Sequence, residues 1–190
     1  MDAVTTVQRM TAAQFLALPP LDKTGHRRQL IDGEVVVNAP AWTHGDSLIA
    51  IATAVRIWVR AGAARGGVNV PIDVLLDNHN VYEPDVVWYR EGRSPKRGDP
   101  PPYAAPDIAV EVRSPSTWRY DIGVKKAVYE RQGVAELWLV DTAADVVLVF
   151  RRSAPDAPDF DVSEELNTEA TLTSPLLPGF ALPVAEIFGD

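Results

Sequence analysis

The stretch "PDIAVEVRSPST" (residues 106–117) alternates Val and Ile with other residues, then turns at Ser114-Pro115-Ser116. Strict alternation predicts a half-buried β-strand, and the Ser-Pro-Ser cluster ends it. In its middle stands Glu111. A carboxylate in an apolar strand costs several kcal/mol unless a cation or hydrogen-bond donors satisfy it. The partner of Glu111 is therefore the question that leads to function.

Around this strand, the 190 residues are 46% hydrophobic, which suits one domain over 1–190 with a sizeable core. No apolar run is long enough to span a bilayer. The opening "MDAVTTVQRM" lacks a basic segment followed by an apolar one, so no secretory signal is expected there. Cysteine is absent, which excludes disulfides and thiolate-held zinc. Together these features point to a cytoplasmic protein. The formal net charge of −8 argues against tight, non-specific DNA binding, which rests on many Lys/Arg–phosphate contacts. It leaves room for a site where metal ions offset carboxylates.

Upstream, "TAAQFLALPP" predicts a short capped helix stopped by Pro19 and Pro20. "RRQLIDGEVVVNAP" predicts a hairpin about Asp32-Gly33. "THGDSLIAIATAVRIWVRAGAARGG" predicts a long helix with Thr43 as N-cap, apolar over most of its cylinder and so largely buried. "VNVPIDVLL" and "VYEPDVVWY", joined by "DNHN", predict a second hairpin. Downstream come a helix over 119–132 closed by Gly133, the strands "AELWLVD" and "DVVLVFRR", an acidic loop from Ser153 to Glu169, and a Pro-containing tail. This order of elements gives an α/β fold with a mixed central sheet flanked by helices. Trp42, Trp58, Trp88 and Trp138 read as core, Trp118 as a residue near a cleft, and Arg93, Lys96 and Arg97 as solvated.

Among candidate carboxylates, Asp107 shares the strand with Glu111 but lies four residues away, about 13 Å. Hard cations bind oxygen at about 2.0–2.6 Å, so these two cannot share one ion. Asp85 follows Pro84 on a separate strand, and neighbouring strands are only about 4.8 Å apart. Two carboxylates on one face of such a pair can share a metal. Glu34, just past the first turn, is a third candidate, and Arg113 follows Glu111 with the same strand parity.

"EPDVVW", "PDIAVEVRSPST" and "YDIGVKKAVYERQGVAELWLVD" together resemble the PD-(D/E)XK nuclease superfamily, and within it the Uma-type family of restriction-endonuclease-like proteins. "MTAAQFLALP", "LIDGEVVVNAP" with His44, and "LLPGFALPVAEIF" extend the resemblance over nearly the whole chain. The resemblance implies a restriction-endonuclease-like fold and hydrolysis of phosphodiester bonds, in DNA above all, with Mg²⁺ or Mn²⁺. Carried over, Asp85 and Glu111 match the metal-binding acids and Glu34 the acid of the first hairpin. The position expected to be lysine is Arg113, and Lys125, on the following helix, matches the displaced lysine. Arginine stays charged, so Arg113 is assigned to phosphate charge. Lysine has an ordinary pKa of about 10.4 that burial can lower, so Lys125 is assigned to the attacking water.

Two rivals remain at this level: a nuclease-like module that binds without cleaving, and a hydrolase of a small phosphorylated substrate. The net charge and the absence of the E-x-K lysine favour the first of them. A homodimer is compatible with the fold. Asp85→Ala is expected to abolish cleavage with the fold intact, because converging carboxylates repel.

Overall fold

The computed structural model describes residues 9–19, 27–37 and 41–189. The opening residues 1–8 and Pro20, both used in the sequence reading, lie outside them. The chain runs α1 (Ala12–Leu16), β1 (Arg28–Ile31), β2 (Glu34–Val37), α2 (Trp42–Arg60), β3 (Gly67–Asn69), β4 (Val74–Asp77), β5 (Asn80–Tyr82) and β6 (Val86–Tyr89). It continues through β7 (Ile108–Val112), α3 (Trp118–Tyr120), a π-helical turn (Asp121–Lys125), α4 (Lys126–Arg131), β8 (Glu136–Asp141) and β9 (Val146–Arg151). It closes with β10 (Val162–Leu166), β11 (Thr171–Leu172), β12 (Leu182–Pro183) and α5 (Ala185–Phe188).

The central sheet has the order β10-β9-β8-β7-β6-β3. It is mixed: β7 and β8 are parallel, joined across α3, the π turn and α4, and the other pairs are antiparallel. β7 is buried along its whole length, and its parity divides two cores. Ile108, Val110 and Val112 pack with Ile51, Val55 and Trp58 of α2 and with the C-terminal Leu177 and Phe180. Ala109 faces the other way, with Val87, Leu137 and Leu139, against Val128 and Tyr129 of α4. Each such large apolar side chain, once fully buried, contributes about 1.5–3 kcal/mol. Glu111 has the parity of Ala109, so it points toward the layer of α4.

A second sheet, β2-β1-β5-β4, flanks the first. Its β1–β2 turn puts Asp32 and Gly33 at φ 49° and 79°, as the Asp-Gly pair predicts. Thr11 and Gln14 form a reciprocal capping box at the start of α1.

Several expectations need correction. The second hairpin is split between sheets. β4 and β5 join β1, whereas β6 pairs with β3 and β7. The break falls at Glu83-Pro84-Asp85, where Pro84 has no N–H to give a ladder. α2 begins at Trp42, with Ala41 as N-cap and no side-chain cap bond, so Thr43 does not cap it. α2 is also not buried all round: Ile49, Ile57 and Trp42 are exposed, and Trp42 is not core. The acidic "loop" contains β10, paired in register with β9. Arg93 is not merely solvated: it and Arg90 pair with the buried Asp107. That leaves Asp107 a structural residue.

Candidate functional site

The partner of Glu111 is Lys125: its Nζ lies 2.6 Å from Glu111 Oε1. Lys125 sits on the π-helical turn, where a wider turn replaces the ordinary α-helical one, a distortion that recurs at functional sites. The same turn supplies Asp121, whose Oδ1 is 2.9 Å from Lys125 Nζ. Tyr129, one turn further along α4, donates its hydroxyl to Glu111 Oε1. All four side chains are buried; Lys125 is 1% exposed, which settles that it is not a solvated helix pair.

Asp85 immediately precedes β6. The β6–β7 register pairs Val86 with Val110, and one further step brings Asp85 alongside Glu111. Asp85 Oδ2 accepts the Val112 backbone N–H at 2.7 Å, and Oδ1 lies 3.0 Å from His44 Nε2. His44 comes from the first turn of α2, with Nδ1 3.3 Å from Ser114 Oγ. Two helical layers thus converge on one end of the β6–β7 pair: α2 brings His44, and the π turn brings Lys125 and Asp121.

Of the residues singled out in the sequence, the fold brings Asp85, Glu111 and Lys125 together. Glu34 stands apart: it is exposed at the start of β2, on the edge of the flanking sheet. Arg113 turns to Asp141 instead, with Nη1 2.7 and 2.9 Å from the two carboxylate oxygens, and lies over the Trp118 ring. Its strand parity misleads because β7 ends at Val112, so alternation no longer governs it. Asp121, His44 and Tyr129 were not placed in the site by sequence. The Asp121–Lys125 spacing was the available signal, and it reads equally as an exposed i,i+4 pair.

Two carboxylates, Glu111 and Asp121, share the Lys125 ammonium, and Asp85 lies beside them against His44. Burial, helped by Asp121 and Asp85 and opposed by Lys125, pushes Glu111 up to about 8. Burial likewise raises Asp121. Burial pulls Lys125 down, but Asp121 and Glu111 outweigh it, so its pKa is raised and the ammonium stays charged. Burial can lower a lysine, but here the two carboxylates act more strongly in the opposite direction. Burial also lowers His44, but the hydrogen bond and charge of Asp85 raise it above its ordinary value.

Asp85 and Glu111 suit a hard divalent cation. Asp121 Oδ1 is buried within ion-pair distance of Lys125 yet has no hydrogen-bond geometry to any donor. The cluster therefore carries more negative charge than its own donors satisfy. Among the described residues no group of three or more His, Asp or Glu side chains is arranged to hold a metal ion. Mg²⁺ needs none, since it takes one or two carboxylates and keeps several waters.

A pH dependence follows. A carboxyl whose pKa is raised on folding stabilises the protein fully below its unfolded value, near 4.5 for Glu111. That stability is lost as pH rises through about 8. His44, also raised, acts in the same direction. The metal-free protein should melt lower at pH 9 than at pH 6, and Mg²⁺ should raise the melting temperature more at pH 9, by about 3–6 °C. Equal Mg²⁺ effects at both pH values, measured by scanning calorimetry, would show that no cation enters this cluster.

Residues 12–185 match the family Uma2, described as "Putative restriction endonuclease". The chain belongs to the Uma2 family. A crystal structure of a protein from Anabaena variabilis, described as a "putative nuclease belonging to DUF820", is similar to it with a TM-score of 0.76 at 17% identity. The similarity covers 94% of this chain and 97% of that one, and at such identity it shows the fold. No functionally curated protein matches the chain. Of the five residues that the resemblance had pointed to, Asp85, Glu111 and Lys125 lie in one cluster, whereas Arg113 and Glu34 lie outside it. No helix of the described residues is long and apolar enough to cross a membrane.

Proposed function

We propose that this Uma2 protein is a cytoplasmic, divalent-metal-dependent endonuclease that hydrolyses phosphodiester bonds, with DNA as its substrate. The observation that carries the reading is the Lys125–Glu111 contact of 2.6 Å beside Asp85. An acid pair from adjacent strands, with a lysine lent by a helix, is the constellation that the family resemblance implies for phosphodiester hydrolysis. Asp85 and Glu111 would hold Mg²⁺ or Mn²⁺. When bound, the ion supplies Lewis-acid neutralisation of the phosphate charge. Lys125 holds a permanent positive charge beside Glu111, suited to stabilising charge that develops on the phosphate oxygens. His44 orients Asp85 through Oδ1, and the Val112 N–H fixes Oδ2. Tyr129 fixes Glu111. Arg113, held by Asp141, has no role in this scheme.

The test is cleavage of plasmid DNA, linear duplex and RNA by purified protein with Mg²⁺ or Mn²⁺, against EDTA. Lys126→Ala serves as the control. Its ammonium lies over the Phe150 and Phe160 rings, away from Glu111, so cleavage should stay within about twofold of wild type, a surface-type effect. The reading fails if no nucleic acid is cut with either metal, or if Lys126→Ala loses as much as substitution of Lys125. A second reading, a module of the same fold that binds without cleaving, is favoured by the burial of Asp85, Glu111, Asp121 and Lys125. Binding of DNA with metal and no cleavage would select it.

A further inference from the structure

Three of the most exposed large apolar side chains lie on one helix: Trp42, Ile49 and Ile57 of α2 are 85%, 62% and 64% exposed. At about 100° per residue, these three fall with Asp46, Thr53 and Arg60 inside an arc of about 80°. All six are exposed. The stripe lies opposite the core-facing Ile51, Val55 and Trp58. Asp46 and Arg60 have no ion-pair partner among the described residues.

The charges on this stripe are ordered. Asp46 lies seven residues before Thr53, and Arg60 seven after it. Each is therefore about 10.5 Å along the axis from Thr53, in opposite directions. We infer that the exposed stripe of α2 docks against the same stripe of a second copy of this chain, antiparallel, with the two-fold axis at Thr53. In that register Asp46 of each copy meets Arg60 of the other, so one contact forms twice, as a two-fold interface requires. A parallel pairing would set Asp46 against Asp46 and Arg60 against Arg60, and like charges repel.

The apolar residues fit the same register. Ile49 lies four residues before Thr53, so in the partner it arrives beside Ile57. There a groove of about 400 Å³, bounded by Ile57, Arg60, Val68 and Val70, runs between α2 and the sheet-edge strand β3. Trp42 reaches past Arg60 to the small residues Ala61, Gly62, Ala63 and Ala64 after the helix end. Ile49 and Ile57 nearest the axis, with the Asp46–Arg60 pairs beyond them, give the usual apolar centre and polar rim of an interface, and Trp42 adds contact outside the pairs.

The full chain should sediment as a dimer at micromolar concentration. Ile49→Glu should weaken association by about 30-fold or more, the scale of a central contact, while the monomer keeps its circular-dichroism spectrum because Ile49 is 62% exposed. Asp46→Arg and Arg60→Asp should each weaken it, and the double substitution should restore it, since every contact is then reversed in sign. A wild-type chain that stays monomeric overturns the inference. So does a dimer indifferent to Ile49→Glu, or one that the double reversal does not rescue.

Discussion

Lys125→Met should abolish cleavage and lower the melting temperature of the metal-free protein. Methionine keeps an unbranched apolar stem in a fully buried place but removes the ammonium that lies 2.6 Å from Glu111 and 2.9 Å from Asp121. Breaking a buried ion pair costs about 3–5 kcal/mol when the remaining charge is left without a counter-charge. For a chain of this size that is about 10 °C in melting temperature. The loss should be smaller below about pH 8, where Glu111 is largely protonated, and smaller still where the raised Asp121 follows it, and Mg²⁺ should relieve it by replacing the missing positive charge. Cleavage should still fall by about 100-fold or more, equivalent to about 2.7 kcal/mol of transition-state stabilisation. These two readouts separate the roles. If Mg²⁺ restores both melting temperature and cleavage, Lys125 is a structural counter-ion and the catalytic assignment falls.

Asp85→Asn should abolish cleavage while leaving the fold in place. Asparagine retains an oxygen that can accept the Val112 N–H, which Asp85 Oδ2 holds at 2.7 Å. It gives up the charge that a divalent ion and His44 both use. Loss of such an electrostatic group costs about 100-fold or more in rate. Calorimetric titration should show weakened Mg²⁺ binding. Asp85→Ala is the poorer variant. Repulsion between carboxylates suggested that it would be tolerated, yet it strands a buried N–H and costs about 1–3 kcal/mol. An Asp85→Asn protein that cleaves like wild type would remove Asp85 from the site.

The local elements were legible wherever short-range chemistry decides them. Asp32-Gly33 announces its turn, "TAAQFLALPP" its short capped helix, and the alternation of Ile108–Val112 its strand. Composition could not show how those pieces pair. The run from Val81 to Tyr89 reads as one strand, and only competition between two sheets splits it at Pro84. α2 reads as apolar all round; which stripe it buries depends on where the sheet lies, and Trp42 ends in solvent.

The site divides in the same way. Glu111 and Asp85 were conspicuous because a carboxylate in an apolar strand demands an explanation, and Lys125 was found through resemblance. Asp121 was hidden, because a pair four residues apart is an ordinary surface motif until burial makes it costly. Arg113 and Glu34 were misjudged for the converse reason, since proximity in sequence or to a turn says nothing of the partner across the fold. The sequence by itself determined which residue types were available and the periodicity of each element. Tertiary structure alone decided which charges lost their water, and that desolvation is what turns Glu111, Lys125, Asp121 and Asp85 from scattered ionisable side chains into one coupled cluster.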